Sequence, residues 1–437
     1  MYFKPEYILI LFFTIIIDYF AGIYLEKEQD PERKKWYLIA SLVANIGILV
    51  IFKYYNFLNN NITGIYSLFH HENPIPYLKI ILPIGLSFHT FQAMSYTIEV
   101  YRGKQKAEKH FGIYALYVMF YPQLVAGPIE RPQNILHQFH EKKYFNFDNA
   151  VVGLNLIIYG LFKKVFVADR LSVYVNQVYG DVHNASSISA IIAAVFFSFQ
   201  IYCDFSGYSD IARGTAKFMG YDLMLNFNRP YLAQSISEFW TRWHISLSTW
   251  FKDYLYIPLG GNREGKFKWY RNLLAVFLLS GVWHGANWTF MVWGALHGAY
   301  LIGGIFTQKL QSQAANALGL MAFPALNKLL NQLTVFVLVT FAWVFFRAEN
   351  FDKAYAMIAK ICEGDFSYNL PQICAEKGPL NLLLSFGAIL LLLFTYKLPA
   401  HLTFEKQKTS VIFLSIFIFI ILILGKDVGA EFIYFQF

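Results

Sequence analysis

Charge is what this sequence has least of. Only 15% of its 437 residues are Asp, Glu, Lys or Arg, where a soluble domain carries about a quarter. No long polar stretch remains from which a separate soluble unit could be built, so residues 1–437 read as a single membrane-embedded domain. Cysteine is nearly absent. Cys203, Cys362 and Cys374 show neither paired nor metal-ligand spacing, which leaves them as packing residues. No HExxH, histidine-rich cluster or cysteine ligand set occurs, so no metal is expected. No GxSxG elbow supports an internal serine-hydrolase triad. No Walker A sequence supports nucleotide-driven transport. No internal repeat is visible, which weakens a transporter built from inverted halves. The first apolar block, Tyr7 to Leu25, lacks a small-residue cleavage site and is expected to be a retained span rather than a cleaved signal.

What is present is apolar and aromatic: 56% hydrophobic residues and 19% Phe, Trp and Tyr. These come in blocks long enough to cross a hydrocarbon core, which takes about 20 helical residues. The spacing predicts spans near 7–25, 36–56, 77–100, 111–126, 149–170, 186–203, 271–282, 286–306, 330–346, 380–396 and 410–425. The expected fold is therefore an all-α polytopic membrane protein with about 11 transmembrane helices. The net charge of +8 is informative through its distribution. Lys27, Arg33, Lys34 and Lys35 crowd one loop, and Arg102, Lys104, Lys106 and Lys109 crowd another. Asn59 to Pro76 between them has no Lys or Arg, which puts the basic loops on the cytoplasmic side and that segment outside. These charges flank apolar helices as membrane anchors do, so nucleic acid is not an expected partner.

The stretch 204–270 differs from the spans. It is aromatic and basic, broken by Pro230, Pro258 and the Gly260-Gly261 pair, and holds Trp240, Arg242, Trp243, His244, Trp250, Asp253, Tyr254 and Tyr256. Irregular polar backbone at membrane depth is tolerated only inside protein or along a wet cavity. The stretch thus reads as short buried or re-entrant helices around a cavity; the alternative is an amphipathic loop in the headgroup layer. Asp204, Ser206 and Asp210 fit a pocket wall or, more simply, a capped helix N-terminus. Segments 307–328 and 347–378 read as polar connections.

His284 stands out next. It joins two apolar blocks in Ser280-Gly281-Val282-Trp283-His284-Gly285-Ala286-Asn287-Trp288. An ionisable side chain within a membrane segment is expensive and marks a candidate functional site. Gly281 and Gly285 allow close backbone approach and a local break in the helix. Imidazole suits a general base near neutral pH. A lone histidine in an apolar run is more often a buried ring bonded to a carbonyl. His244 alters that weighing, because two histidines at membrane depth in aromatic settings suggest one polar pocket. Arg242 and Asp253 are open between a functional role and simple pairing. His89 and His297 lie at span depth and read as hydrogen-bonding between helices.

The run Phe239-Trp240-Thr241-Arg242-Trp243-His244-Ile245-Ser246-Leu247-Ser248, continuing through Asp253-Tyr254-Leu255-Tyr256-Ile257-Pro258-Leu259-Gly260-Gly261-Asn262-Arg263, resembles a signature of membrane-bound O-acyltransferases. It is most similar to the branch containing bacterial alginate O-acetylase. Ser280 to Asn287 resembles that family's catalytic-histidine segment. Tyr121 to Pro128, which contains Gln123, resembles another of its blocks, as do Asp204 to Asp210 and Phe341 to Asn350. The blocks occur in order over residues 10–365; residues 366–437 match none, and the chain is expected to begin one or two helices inside the family's N-terminal region. The resemblance implies a helical funnel with His284 at its base and His244 as a second catalytic residue. It implies substrate contacts from Trp283, Asn287, Trp240, Arg242, Asp253, Tyr254 and Gln123. It implies acetyl-coenzyme A as a donor on the cytoplasmic side, and an extracytoplasmic glycan or an accessory acyl-transfer protein as acceptor. The expected setting is a bacterial inner membrane. Alginate itself is not implied. A transporter or flippase of acyl groups or lipid-linked sugar, and a non-catalytic scaffold of a secretion complex, are the competing functions.

Overall fold

The computed structural model describes residues 7–79, 83, 85–364, 378–397, 411–425 and 432–433. Those residues form helices and turns, with no strand among them. Six helices are long and apolar enough to cross a membrane: Tyr7–Lys27, Pro31–Leu68, Phe147–Gly180, Ser187–Phe218, Trp288–Ala317 and Pro324–Arg347. The other expected spans are shorter or more polar. Phe111–Met119 has nine residues, a rise of about 14 Å, roughly half a hydrocarbon core. Lys266–His284 begins on Lys266, Lys268 and Arg271. Leu380–Thr395 and Leu414–Leu424 are apolar but short.

The chain divides into two compact units. The first holds Met1–Gly153 and Thr215–Met224. Its core joins Leu11, Ile15, Tyr96, Tyr114 and Tyr117. Gly22 lies against the Tyr96 ring so closely that a Cβ there would come 2.5 Å from the phenol oxygen. A polar knot holds the first three helices together. Asp18 accepts from Ser41 Oγ at 2.6 Å and from Asn45 Nδ2 at 2.9 Å, and Ser41 Oγ reaches Thr97 Oγ1 at 3.1 Å. The segment expected to be an external loop is helical as far as Leu68, because Pro31–Leu68 runs unbroken through a π-helical turn at Val50–Tyr54.

The second unit holds Leu154–Gly214 and Leu225–Phe437. Two of its helices approach at Gly160 and Gly207, where a Cβ on Gly160 would come 2.5 Å from the Gly207 carbonyl oxygen. Buried ion pairs join the same helices. Lys163 Nζ lies 2.5 Å from Asp210, and Lys164 Nζ lies 2.7 Å from Asp204 and 2.8 Å from Asp169. Asp204, Ser206 and Asp210 are therefore not helix caps. They sit within the 32-residue helix Ser187–Phe218, which passes the expected end at 203 because lysines neutralise its buried carboxylates. After it come the short helices Ile236–Arg242 and Ile245–Phe251, as the Pro- and Gly-broken sequence leads one to expect. The connections also carry helix: Trp288–Ala317 extends into the first and Phe351–Glu363 occupies part of the second. Cys203 is buried; Cys362 is exposed rather than packed, and Cys374 lies outside the described residues.

Candidate active site

The hairpin of Lys266–His284 and Trp288–Ala317 sets the site. Glycine brings its two backbones into contact. A Cβ on Gly281 would come 2.3 Å from the Phe290 carbonyl oxygen, and one on Gly294 would come 2.3 Å from that of Phe277. The first helix ends on His284, and Gly285 continues in extended backbone. Asn287 starts the second helix: its Oδ1 accepts from the Thr289 N–H at 3.0 Å, and its Nδ2 donates to the Glu349 carbonyl at 2.6 Å. Asn287 thus holds the turn that follows the histidine.

His284 is buried among rings from three helices. Its centroid lies 4.9 Å from Trp283, 4.9 Å from Trp293 and 5.2 Å from Phe346, each packed edge to face. Such a cage excludes water from the imidazole. Trp283 also touches His244, at 6.1 Å, so one indole links the two histidines.

His244 is fully buried between the two short helices, with φ 42° and ψ 55°. This left-handed conformation is unusual away from glycine, although Asn and His adopt it more readily than most. Neighbours fix it. Ile245 N–H donates to the Asn226 carbonyl at 2.9 Å, and the Ser246 hydroxyl donates to Asn226 Oδ1 at 2.9 Å. The ring stands edge-on to Phe205 at 4.6 Å, and Ser246 Oγ lies 3.5 Å from its Nδ1. Strained backbone of this kind persists only where the surroundings determine it, and it clusters at functional sites.

The other expected site residues are spread more widely. Arg242 is paired with Glu238, its Nε at 3.0 Å and its Nη2 at 2.7 Å from Oε1, and it also donates to the Asn228 carbonyl. Asp253 and Tyr254 lie in the π-helical turn Lys252–Tyr256, with Tyr254 5.1 Å from Trp250. Gln123 belongs to the first unit, buried with its amide 3.5 Å from the Tyr117 carbonyl. Trp240 faces a cavity of 1210 Å³ within the second unit. Thr241, Lys252, Tyr256, Ser280 and Tyr300 line the same cavity, and Lys252 is its one charged described residue. Ser280 is one helical turn before His284, so a single helix face runs from the cavity to the histidine.

Two neighbours were not singled out from the sequence, Trp293 and Phe346. A signal for the first existed. Trp293 and His297 are four residues apart, which puts two unusual rings on one helix face. His297 also departs from expectation. It bridges no helices by hydrogen bonding among the described residues, and both its ring nitrogens are buried without a partner.

Sequence comparison gives this geometry a context. The profile of the MBOAT family, membrane-bound O-acyltransferases, matches residues 108–347. The chain is 38% identical to the probable alginate O-acetylase AlgI of Pseudomonas aeruginosa, over 85% of this chain and 68% of that protein. It is 36% identical to the peptidoglycan O-acetyltransferase of Helicobacter pylori, over 85% of this chain and 72% of that protein. A more distant likeness, 26% identity over 55% of this chain and 63% of the relative, joins it to the teichoic acid D-alanyltransferase of Bacillus subtilis.

Proposed function

The chain belongs to the membrane-bound O-acyltransferase family, and on that premise we propose that it moves an acetyl group from a cytoplasmic thioester onto a hydroxyl of an extracytoplasmic glycan. The named relatives act on alginate, peptidoglycan and teichoic acid, acceptors that share hydroxyl chemistry rather than one sugar. Acetyl-coenzyme A is the proposed donor. The acceptor hydroxyl is that of the glycan, or of a serine on an accessory protein that completes the transfer. The setting is a bacterial inner membrane, with the shorter helices completing about eleven crossings.

One observation carries this reading. His284, buried among aromatic rings, ends a helix whose preceding turn opens at Ser280 onto the cavity. In the proposed mechanism, His284 takes the proton from the acceptor O–H as the oxygen attacks the thioester carbonyl carbon. The carbonyl π-bond opens to an oxyanion, which the Trp283 indole N–H and the His244 imidazole are suited to stabilise. Collapse reforms the carbonyl, breaks the carbon–sulfur bond and expels the thiolate. The imidazolium then returns its proton to sulfur. The products are an ester and a free thiol, with no net proton released. The ring cage around His284 protects the thioester from hydrolysis. Arg242, Asp253 and Tyr254 contribute by shaping the donor and acceptor paths, as the family resemblance implies, and Asn287 by holding the turn after His284.

Purified protein given acetyl-coenzyme A labelled in the acetyl group, with a panel of cell-envelope glycans, tests the proposal. Label is expected in ester linkage on at least one glycan. Movement of acyl groups or lipid-linked sugar across vesicles without ester formation would replace the proposal with transport.

A further inference from the structure

His244 is the residue before the helix Ile245–Phe251, the position whose side chain ordinarily caps a helix start. It makes no such cap. The first N–H groups of a helix have no partner within it and need one from elsewhere. Asn226, in a separate segment of the chain, supplies it. The Ile245 N–H donates to the Asn226 carbonyl at 2.9 Å. The Ser246 N–H and hydroxyl both donate to Asn226 Oδ1, at 3.2 and 2.9 Å. A backbone N–H can only donate, so the amide atom facing it is the oxygen, and Nδ2 is left to donate to Ser209 Oγ at 3.3 Å. Asn226, Ser209 and Ser246 are all buried.

These bonds bracket His244. Before it, the Asn228 N–H donates to the Arg242 carbonyl at 2.8 Å; after it, Asn226 holds Ile245 and Ser246. The residue between takes φ 42° and ψ 55°, a left-handed conformation that few side chains adopt unaided. Phe227, between the two asparagines, packs on Trp243 at 5.1 Å and on the His244 ring at 6.2 Å. Ser209 belongs to the long helix Ser187–Phe218 and directly precedes Asp210, which is paired with Lys163. The bracket is therefore fixed to a long buried helix rather than to a loop.

The consequence lies in the ring. A change of backbone at 244 swings the imidazole, and its contact with Trp283 at 6.1 Å is what links it to His284. Building on the acyl-transfer reading above, we propose that Asn226 is a positioning residue for the reaction: by capping the helix that follows His244, it holds that histidine's backbone left-handed and its imidazole against Trp283. Asparagine suits the task because the position needs an acceptor with two lone pairs toward Ser246 and a donor toward Ser209.

The test compares Asn226→Leu with Asn226→Asp, two side chains that share the branched shape of asparagine. Aspartate keeps the acceptor, and the Ser209 hydroxyl can turn to donate to it; leucine accepts nothing. With labelled acetyl-coenzyme A and the glycan that accepts label, Asn226→Leu is expected to lower kcat about 10²-fold with KM nearly unchanged, the scale of a group misplaced near the chemistry. Asn226→Asp should restore most of it. Because Asn226 acts through His244, adding Asn226→Leu to His244→Asn should change kcat little. A merely structural role would lower the melting temperature while folded protein kept its kcat, and losses that multiplied in the double variant would mean that the two residues act separately; either result overturns the proposal. Should Asn226→Leu not fold, Ser246→Ala removes one donor of the same cap. It should lower kcat about tenfold, as loss of one buried hydrogen bond implies, with the same coupling to His244→Asn. Hydrogen exchange supplies a readout independent of catalysis. Peptides spanning 243–251 should exchange faster in Asn226→Leu than in wild type, and at the wild-type rate in Asn226→Asp. That pattern without any acetyl transfer in wild type would uphold the cap and count against the proposed function alone. Unchanged exchange in Asn226→Leu would overturn the cap.

Discussion

At His284 the question is whether the ring moves a proton or fills a hole, and its surroundings allow a clean substitution. Three aromatic rings enclose it, so His284→Ala would leave a void among them. His284→Gln keeps polarity and much of the volume but cannot take up a proton at neutral pH. General-base catalysis contributes about 10²–10⁴-fold, and a loss of that size in acetyl incorporation is expected with the melting temperature largely kept. Near-wild-type transfer would make His284 structural. His244 needs a different substitution because its backbone is left-handed. Asparagine tolerates that conformation, whereas alanine adds strain of about 1–2 kcal/mol. His244→Asn is therefore expected to express normally and to lower turnover about 10²-fold, the scale of losing one oxyanion donor. Unchanged turnover measured with the same labelled donor would remove the ring from the site.

At the scale of the element, the two helices of the histidine hairpin meet through glycine. Gly281→Ala would drive a methyl group into the Phe290 backbone, at 2.3 Å from its carbonyl oxygen. Backbone cannot yield as a flexible side chain does, so a destabilisation of about 1–3 kcal/mol is expected. Gly303 lies in the same hairpin with no atom within 4 Å of an added Cβ. Gly303→Ala should be neutral or stabilising by up to about 1 kcal/mol, because alanine is the better helix former. Melting curves of the two variants in one detergent check the contrast; equal shifts would show that the close approach does not matter. The hairpin was legible in the sequence because Gly281 and Gly285 flank an imidazole in an apolar run. So were the short helices around His244, whose proline and glycine breaks are local signals. What could not be read was long-range pairing. Asp204 and Asp210 read as a pocket wall or a helix cap until Lys163 and Lys164, some forty residues earlier, are placed beside them. Asn59 looks like external loop for a similar reason, just past the expected span end at Asn56. The amides of Asn56 and Asn59 bond the backbone of Leu78 and Ile75, which lets the helix continue among polar residues. Trp293 was passed over because a tryptophan in a span reads as packing, and His297 read as a hydrogen bond between helices until the face it shares with Trp293 is noticed.

At the scale of the whole molecule, loop charge sets the orientation of the first unit in the membrane. Its two basic loops are tied together: the Ala107 N–H donates to Glu26 Oε1 at 3.2 Å, and the Tyr19 hydroxyl donates to the Lys109 carbonyl at 2.6 Å. Lys27, Arg33, Lys34 and Lys35 must therefore lie on the same side as Arg102, Lys104, Lys106 and Lys109. Between these loops the chain leaves along Pro31–Leu68 and returns along Leu86–Tyr101, so residues 59–76 belong to the opposite side. That segment contains no Lys or Arg. A membrane-bordering loop bearing four cations stays on the cytoplasmic side, since anionic lipid there holds each cation by about 1 kcal/mol. The connection 26–35 should thus be cytoplasmic and 59–76 external. Single cysteines at Gln29 and at His70, in a background with Cys203, Cys362 and Cys374 replaced, provide the test, because both positions are exposed in the fold. A membrane-impermeant maleimide applied to intact cells should modify the cysteine at 70 and leave that at 29 unmodified until the membrane is opened. Labelling at 29 in sealed cells would invert this orientation of the first unit.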